Sequence, residues 1–233
     1  MNSWKTKSGY TIFQILSGRS NVFILTNYEK NILIDTSTAR NWNRLENELA
    51  KLKIDHIDVL ILTHTHHDHA ANAHRIKKKF NSTIIVHSAE ADYLNRGINL
   101  IPNGTTLLTR ILVKLFAKKY LSKFKYDPCE YDILIDSTYD LKTLGFNAYI
   151  MHTPGHSPGS MSVIIDDEMA IVGDAMFGVF KNSVFPPYAD NIKQMIVSWG
   201  KLLETNCNVF IPAHGTANTR ALVTSNYQKR MSM

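Results

Sequence analysis

The chain has 233 residues, 44% of them hydrophobic, which is ordinary for a globular domain with a substantial core. Its 26 Lys and Arg against 20 Asp and Glu give a net charge of +6, so anionic partners are compatible with its charge. The two cysteines, Cys129 and Cys207, have the spacing of neither a metal knuckle nor a disulfide framework. No stretch of the sequence has the pattern of a signal peptide or a transmembrane segment. These features argue against a secreted or integral membrane protein, and we expect a cytoplasmic protein with reduced thiols.

The first third of the chain alternates strand-like and helix-like patterns. Short β-like runs at 11–16, 22–26 and 31–35 are separated by turn residues, which predicts antiparallel neighbours. Apolar residues at helical spacing predict a helix at 42–52, and the apolar run at 58–63 is typical of a buried strand.

The same alternation continues to the end of the chain. The further predicted elements are helices at 68–80, 89–96, 105–121 and 191–203, strands at 83–87, 140–144, 148–152, 161–165, 169–173 and 208–211, and a short terminal helix. Two strand-rich halves with attached helices predict two β-sheets packed face to face and covered outside by helices. No linker or repeat divides the sequence, so we expect a single domain spanning residues 1–233, with a helical insertion at about 97–126.

A dense cluster of metal-ligating residue types follows the predicted strand at 58–63. His64, His66, Asp68 and His69 fall within six residues, where a helix is predicted to begin. Residues i and i+2 of an extended segment point to the same side, so His64 and His66 can reach one cation. Asp68 and His69 then point to a second position nearby. Imidazole and carboxylate groups suit zinc well, and iron or manganese acceptably.

Three later loops each end an apolar run with one more candidate ligand. They carry His156 in Pro-Gly-His, Asp174 in Gly-Asp and His214 in Ala-His-Gly. Loops at strand ends are where a rigid scaffold commonly presents functional groups. Seven such residues in this order predict a metal site rather than a set of isolated polar residues.

The pattern His-x-His-x-Asp-His, followed by Pro-Gly-His, Gly-Asp and Ala-His-Gly, resembles the metallo-β-lactamase superfamily over roughly residues 10–216. The resemblance implies a four-layer αβ/βα sandwich and two divalent metal ions, for which we expect Zn²⁺, with iron and manganese as alternatives. The implied ligands are His64, His66 and His156 for one metal, Asp68, His69 and His214 for the other, and Asp174 as the bridge. Two such metals generate hydroxide from a shared water at neutral pH, and Asp68 is the expected catalytic residue that orients this nucleophile.

Departures from subfamily patterns narrow the expected substrate. β-Lactamases of this superfamily do not use a bridging aspartate, so Asp174 argues against β-lactam hydrolysis. Acyl-homoserine lactonases carry a tyrosine three residues after that aspartate, where this chain has Phe177. Glyoxalase II, which hydrolyses hydroxyacylglutathione, shares the Gly-Asp-x-x-Phe segment, but only nineteen residues follow His214, where that enzyme has a glutathione-binding helical region. The resemblance is thus closest to glyoxalase II-like and lactonase-like members, and it implies a small-molecule ester, thioester or lactone as substrate.

Two other chemistries are open alternatives. A ribonuclease Z-like phosphodiesterase would use the same metal set and suit a basic surface, but the chain is short, has no RNA-binding arm, and does not favour nucleic acid as a partner. A persulfide dioxygenase-like oxidoreductase would use a single iron held by two histidines and an aspartate of the same motif. Two zinc ions per chain favour hydrolysis, and one iron favours oxidation.

For other polar residues near the motif, we expect either a hydrogen bond to a ligand or a position away from the metals. His67 occupies a variable position of the motif and should point away from the metals. His87 and His152 end strands, and hydrogen bonding to a ligand explains them as well as simple packing does. Asp35 ends the strand at 31–35, where family members carry an acid that can hydrogen-bond to a ligand.

The segment 105–125 has the pattern of a basic amphipathic helix. Six basic and no acidic residues lie between Arg110 and Tyr126. One apolar stripe is predicted from residues at helical spacing, namely Leu107, Leu108, Ile111, Leu112, Leu115, Phe116 and Tyr120. Packing of this stripe on the protein's own core is the simplest expectation. The alternatives are a lid and homodimer contact that shapes an acyl pocket over the site, which we prefer of the two, and a contact with an anionic membrane.

Overall fold

Short strands from each half of the chain form two β-sheets, with helices between and after them. The computed structural model describes residues 1–98, 101–120 and 125–232, with the side chains of 116–120 left out. The strands are β1 (Asn2–Lys5), β2 (Thr11–Leu16), β3 (Val22–Thr26), β4 (Asn31–Ile34), β5 (Val59–Ile61), β6 (Thr83–His87), β7 (Ile133–Ile135), β8 (Thr138–Asp140), β9 (Ala148–His152), β10 (Met161–Ile165), β11 (Met169–Gly173), β12 (Val209–Pro212) and β13 (Asn218–Thr219). The α-helices are α1 (Trp42–Lys51), α2 (His67–Ala70), α3 (Ala73–Phe80), α4 (Ala91–Arg96), α5 (Leu107–Tyr120), α6 (Ile192–Glu204) and α7 (Arg220–Met231).

Each half of the chain builds one sheet. Within the described residues, β1 to β7 lie side by side in chain order, and the second sheet has the order β13-β12-β11-β10-β9-β8. Hairpins make β1 to β4 antiparallel, whereas β4 to β7 are parallel because helices connect them. In the second sheet β11 and β12 are parallel across α6, and the other pairs are antiparallel.

Three apolar layers hold the sheets and helices together. Because successive strand residues point to opposite faces, one strand can contribute to two layers. In β3, Ile24 packs in the cluster that contains Leu45 of α1, while Phe23 packs in the cluster between the sheets with Val163 of β10. The third layer packs Ile164 of β10 with residues of α6 and α7. The order is helices, sheet, sheet, helices, which confirms the αβ/βα sandwich.

The predicted helix at 68–80 is broken into α2 and α3 at Asn72. The buried Asn72 side chain donates hydrogen bonds to the carbonyls of Thr36 and Thr38, at 2.9 Å each. Its backbone N–H donates to Thr36 Oγ1 at 3.1 Å. These long-range hydrogen bonds replace helical ones, and they depend on residues more than thirty positions earlier.

The predicted strand at 140–144 is wrong. Strand β8 ends at Asp140, and Lys142–Leu144 forms a 3₁₀ turn. The Asp140 carboxylate accepts a hydrogen bond from the Lys142 N–H at 2.8 Å, which turns the chain as short acidic side chains commonly do. Gly145 follows with a φ of +81°, a conformation that glycine adopts without strain.

Both cysteines are buried and unpaired. Burial raises the pKa of the Cys129 thiol and of the Cys207 thiol to about 11, so neither is a reactive thiolate at neutral pH. Among the described residues, no helix combines the length and apolarity needed to cross a bilayer.

Helix α5 corresponds to the helix predicted at 105–121, but the expected packing of its apolar stripe on the core is wrong. Leu107, Leu108 and Leu115 are 77%, 66% and 65% exposed, and Ile111 and Leu112 are 47% and 40% exposed. These five side chains therefore do not pack on the core, while the lid and homodimer contact expected for this helix stay predictions. The side chains of Phe116 and Tyr120, and the parts of the expected insertion at 99–100 and 121–124, lie outside the described residues.

Alanine substitutions of one buried and one exposed leucine test the outward orientation of α5. Leu33 of β4 is fully buried in the layer beneath α1, so Leu33→Ala should lower the free energy of unfolding by about 2–5 kcal/mol. Leu108→Ala on α5 should change it by no more than about 0.5 kcal/mol, because that side chain is mostly exposed. Urea unfolding measures both values, and a loss at Leu108 as large as at Leu33 would contradict the outward orientation of α5.

Candidate metal centre

The seven residues predicted as ligands lie together at loops that follow four strands. His64 to His69 follow β5, His156 follows β9, and Asp174 and His214 follow β11 and β12. Their ligand atoms form three groups, each with all atoms within 4.8 Å of one another. The groups are His64 with His66 and His156, His64 with His69 and Asp174, and Asp68 with His69 and His214.

Asp174 lies between these groups. Its Oδ2 is 3.4 Å from His156 Nε2 and 3.3 Å from His214 Nε2, and its Oδ1 is 3.6 Å from His69 Nε2. The Asp68 carboxylate is 3.6 Å from His214 Nε2 on the more open side of the cluster. The Asp174 carboxylate therefore contacts histidines that come from three different loops.

Gly173 allows Asp174 to reach this position. The glycine has a φ of +52°, and a Cβ built on it would lie 2.8 Å from the Thr63 side chain. Any other residue would be strained by that conformation and would collide with the segment that precedes His64. The Gly-Asp pair of the sequence is thus needed for close approach of the β11 loop to the β5 loop.

Several buried polar atoms of the site have no hydrogen-bond partner in the described part of the chain. They are His64 Nε2, His66 Nε2, His69 Nε2 and Asp174 Oδ1. Unpaired buried polar groups are costly and rare in proteins. Imidazole nitrogen and carboxylate oxygen are the donors that zinc and similar transition metals prefer. The residues present therefore fit metal ions, which would bind the unpaired nitrogens of His64 and His69 and the unpaired oxygen of Asp174.

Burial and neighbouring charges shift the pKa values of the groups in the cluster, and the two effects often oppose each other. Burial, aided by the adjacent imidazoles, holds the pKa of His64 well below its usual value. Burial also disfavours charged His69, but the carboxylates of Asp174 and Asp35 outweigh it and raise the pKa of that imidazole. For Asp174, burial opposes ionisation, yet His214 and His69 hold the pKa of the carboxyl below its usual range. A cation bound here would displace the proton on His69.

Asp35 fixes the orientation of His69 from behind. Its Oδ2 accepts hydrogen bonds from His69 Nδ1 and Thr63 Oγ1, both at 2.8 Å, and its Oδ1 accepts from Thr63 N at 2.8 Å. With Nδ1 held in this way, Nε2 of His69 points toward Asp174. Carboxylates commonly hold metal-ligating histidines in this arrangement, and the hydrogen bond matches the expectation for Asp35.

His156 is held by backbone carbonyl and amide groups of a later loop. Its Nδ1 donates to the Tyr188 carbonyl at 2.9 Å, and its own carbonyl accepts from Asp190 N at 3.1 Å. The other nitrogen, Nε2, lies 3.1 Å from His66 Nδ1. Two imidazole nitrogens facing each other at this distance are arranged to share one cation.

Glu90 is a supporting residue that the sequence analysis missed. Its fully buried carboxylate accepts hydrogen bonds from Thr65 N at 3.0 Å and Gly159 N at 3.2 Å, and from the Thr65 hydroxyl. It thereby joins the loop of His64 to His69 to the loop of His156. No sequence signal distinguishes it, because an acidic residue at the start of a helix is ordinary on protein surfaces.

The other histidines near the site lie outside the three groups. His87 and His152 stack on each other with ring centroids 3.9 Å apart, and they lie within hydrogen-bond distance of the backbone carbonyls of Asp136 and Pro158. His67 begins α2 beside Asp68, with 3.7 Å between His67 Nδ1 and Asp68 Oδ1. Among the described residues the candidate ligands are therefore the seven that the sequence pattern indicates.

Solved structures similar to this chain share its fold. A crystal structure of an archaeal metallo-beta-lactamase superfamily protein from Sulfolobus tokodaii superposes with a TM-score of 0.68 at 20% identity, covering 94% of this chain and 86% of that chain. At this sequence identity the superposition shows a shared fold only. A thioesterase of Aspergillus fumigatus, the atrochrysone carboxyl ACP thioesterase, is 24% identical over 84% of this chain. A hydroxyacylglutathione hydrolase of Shewanella pealeana is 22% identical over 61% of it.

The chain spans only 50% of that thioesterase and 42% of that hydrolase. A protein of Methanocaldococcus jannaschii named as a probable metallo-hydrolase is 30% identical over 200 residues, covering 82% of this chain and 86% of its own length. The family model for the metallo-beta-lactamase superfamily matches residues 17–214, which include all seven candidate ligands. The chain therefore belongs to the metallo-beta-lactamase superfamily.

Proposed function

We propose that the protein is a hydrolase that holds two divalent metal ions and cleaves an ester, thioester or lactone. The observation that carries this proposal is the position of Asp174, whose carboxylate lies between histidines of separate ligand groups. One metal would be held by His64, His66 and His156, the other by Asp68, His69 and His214, with Asp174 shared. When bound, two such ions activate water at neutral pH and polarise a substrate carbonyl.

Substrate would approach beside Asp68 and His214. Their side chains are 18% and 16% exposed, while those of His69, His156 and Asp174 are exposed by 5% or less. Asp68 at this opening is suited to accept a proton from the attacking water and to orient it, which is the catalytic role we assign to it. Phe177 stacks on His214, with ring centroids 4.5 Å apart, and provides an apolar wall.

The printed names of two relatives support an ester or thioester substrate. One relative is named as a thioesterase and another as a hydroxyacylglutathione hydrolase. Phe177 lacks the hydroxyl of the tyrosine that lactonases carry at this position, so thioesters and simple esters are favoured over lactones. Zinc is the expected metal, because four of the seven side chains are buried imidazoles and the donors are all nitrogen and carboxylate oxygen.

The first prediction from this site concerns metal content. Protein purified from zinc-supplemented medium should contain about two metal ions per chain by elemental analysis. Asp174→Ala should lower the content of both, because both proposed positions share this carboxylate. His74→Ala, which removes an exposed histidine of α3, should leave the content unchanged. One iron per chain without a second metal would overturn the dinuclear hydrolase and favour the oxidative alternative.

Substituting Asp35 tests its effect on metal binding, and substituting Asp166, a buried aspartate far from the site, is the control for effects on the fold. Both are buried, both have positive φ, and Asp166 accepts hydrogen bonds from Ser8 and Asn147 far from the site. Asp35→Asn should weaken zinc binding by roughly 10–100-fold, because His69 loses the charge that orients it. Asp166→Asn should leave zinc affinity unchanged. Competition with a chromogenic chelator measures both, and equal affinities in the two variants would contradict the role of Asp35.

A substrate panel tests the proposed chemistry itself. Aryl esters, acyl thioesters and lactones should be hydrolysed by the metal-loaded protein, and nitrocefin should not. Asp68→Asn should reduce the rate by roughly 100-fold or more, since general-base assistance is lost while most ligands remain. Faster turnover of bis-p-nitrophenyl phosphate than of every carbonyl substrate would reject the proposal in favour of the phosphodiesterase alternative.

A further inference from the structure

Helix α5 presents its apolar residues away from the protein. At 3.6 residues per turn, Leu107, Leu108, Ile111, Leu112 and Leu115 cover an arc of about 140°, which we call the outer face of α5. All five are exposed. Thr109 and Val113 lie on the opposite side and are half-buried against the protein. Amphipathic helices on a protein surface normally turn the apolar side inward, so the orientation of α5 is reversed.

The start of α5 is fixed by backbone contacts. Gly104 forms a β-bridge with Tyr188, and Thr105 donates hydrogen bonds to the carbonyls of Pro187 at 3.0 Å and Pro186 at 2.8 Å. A Cβ at Gly104 would lie 2.2 Å from Arg110 N, so the helix folds tightly over the preceding turn. Tyr188 is also the residue whose carbonyl holds His156. The outer face of α5 therefore belongs to a helix that is anchored next to the candidate metal centre.

Basic residues border the outer face of α5. Arg110 and Lys114 are exposed and lie at one edge of it. The sequence from 110 to 126 contains six basic residues and no acidic one. An apolar helix face with a basic border is the pattern of helices that lie in the interface of an anionic bilayer, where leucines enter the acyl region and lysines contact lipid headgroups.

A second copy of the chain fits the outer face less well than an anionic surface does. In a two-fold contact through α5, the same surface would be used by both copies. The basic border of one copy would then lie near that of the other, and like charges oppose such a contact. An anionic lipid surface satisfies the apolar face and the basic border at the same time.

We propose that the outer face of α5 binds the surface of an anionic lipid bilayer, without crossing it, and seats the protein there with the mouth of the metal centre near the lipid. The binding uses leucine side chains and the positive border, and it requires neither metal nor substrate. It is therefore independent of the hydrolase activity proposed above.

Co-sedimentation with vesicles tests this proposal. The wild-type protein should bind vesicles of phosphatidylcholine with phosphatidylserine, bind pure phosphatidylcholine much less, and be released by salt. The double variant Leu107→Gln, Leu108→Gln and the variant Lys114→Glu should each bind roughly tenfold more weakly or worse. The matched controls Val197→Gln and Lys201→Glu change an exposed valine and an exposed lysine of α6, and they should bind like wild type.

Three results would overturn the proposal. One is the absence of binding to the phosphatidylserine vesicles, and another is equal binding to both vesicle types. The third is a reversible dimer in sedimentation equilibrium that Leu107→Gln, Leu108→Gln abolishes while vesicle binding is absent, which would assign the outer face of α5 to a second copy. Circular dichroism of each variant confirms that it is folded, and the exposure of all five substituted side chains makes misfolding a poor explanation for lost binding.

Discussion

Polar ligand groups crowd into a small buried volume, and much of the structure serves to hold them there. Burying imidazoles and carboxylates without partners is costly, and nitrogens of His64, His66 and His69 have no partner among the described residues. Cations bound at the inward-facing nitrogens of His64 and His69 would remove much of that cost. The protein contributes the remaining contacts through Asp35 and the Tyr188 carbonyl, each of which binds the second nitrogen of a histidine and leaves the first directed inward.

Strands packed between apolar layers hold the loops that carry the candidate ligands in place. The ligand loops begin where β5, β9, β11 and β12 end, and the apolar layers on either side of these strands fix their positions. Small residues then allow the loops to approach each other, as Gly173 does beside Thr63 and Gly159 does beside Glu90. The buried Glu90 carboxylate joins loops from the two sheets, so the relative position of the sheets and the shape of the site depend on each other.

Local patterns in the sequence predict much of this arrangement. Strands such as β6, β9 and β10 have the predicted bounds because continuous apolar runs flanked by turns are sufficient to define them. The seven candidate ligands follow from one short motif and three loop motifs. Features that depend on distant partners are not predictable in this way. The break at Asn72 requires Thr36 and Thr38, the role of Glu90 requires Gly159, and the outward direction of α5 depends on which side of the helix meets the protein.

The distribution of the ligands along the chain affects the order in which the protein can fold and acquire metal. Four of the seven lie within residues 64–69, but His156, Asp174 and His214 come from the last third of the sequence. A chain that has been synthesised only to residue 150 can offer an ion no more than a partial set, at the exposed end of the first sheet. High affinity arises only when the second sheet has packed onto the first, so bound ions would stabilise the docked state of the two halves over the separated one. Metal loading would in this sense be the last step of folding, and chelation would weaken the contact between the sheets before it disturbs either sheet alone.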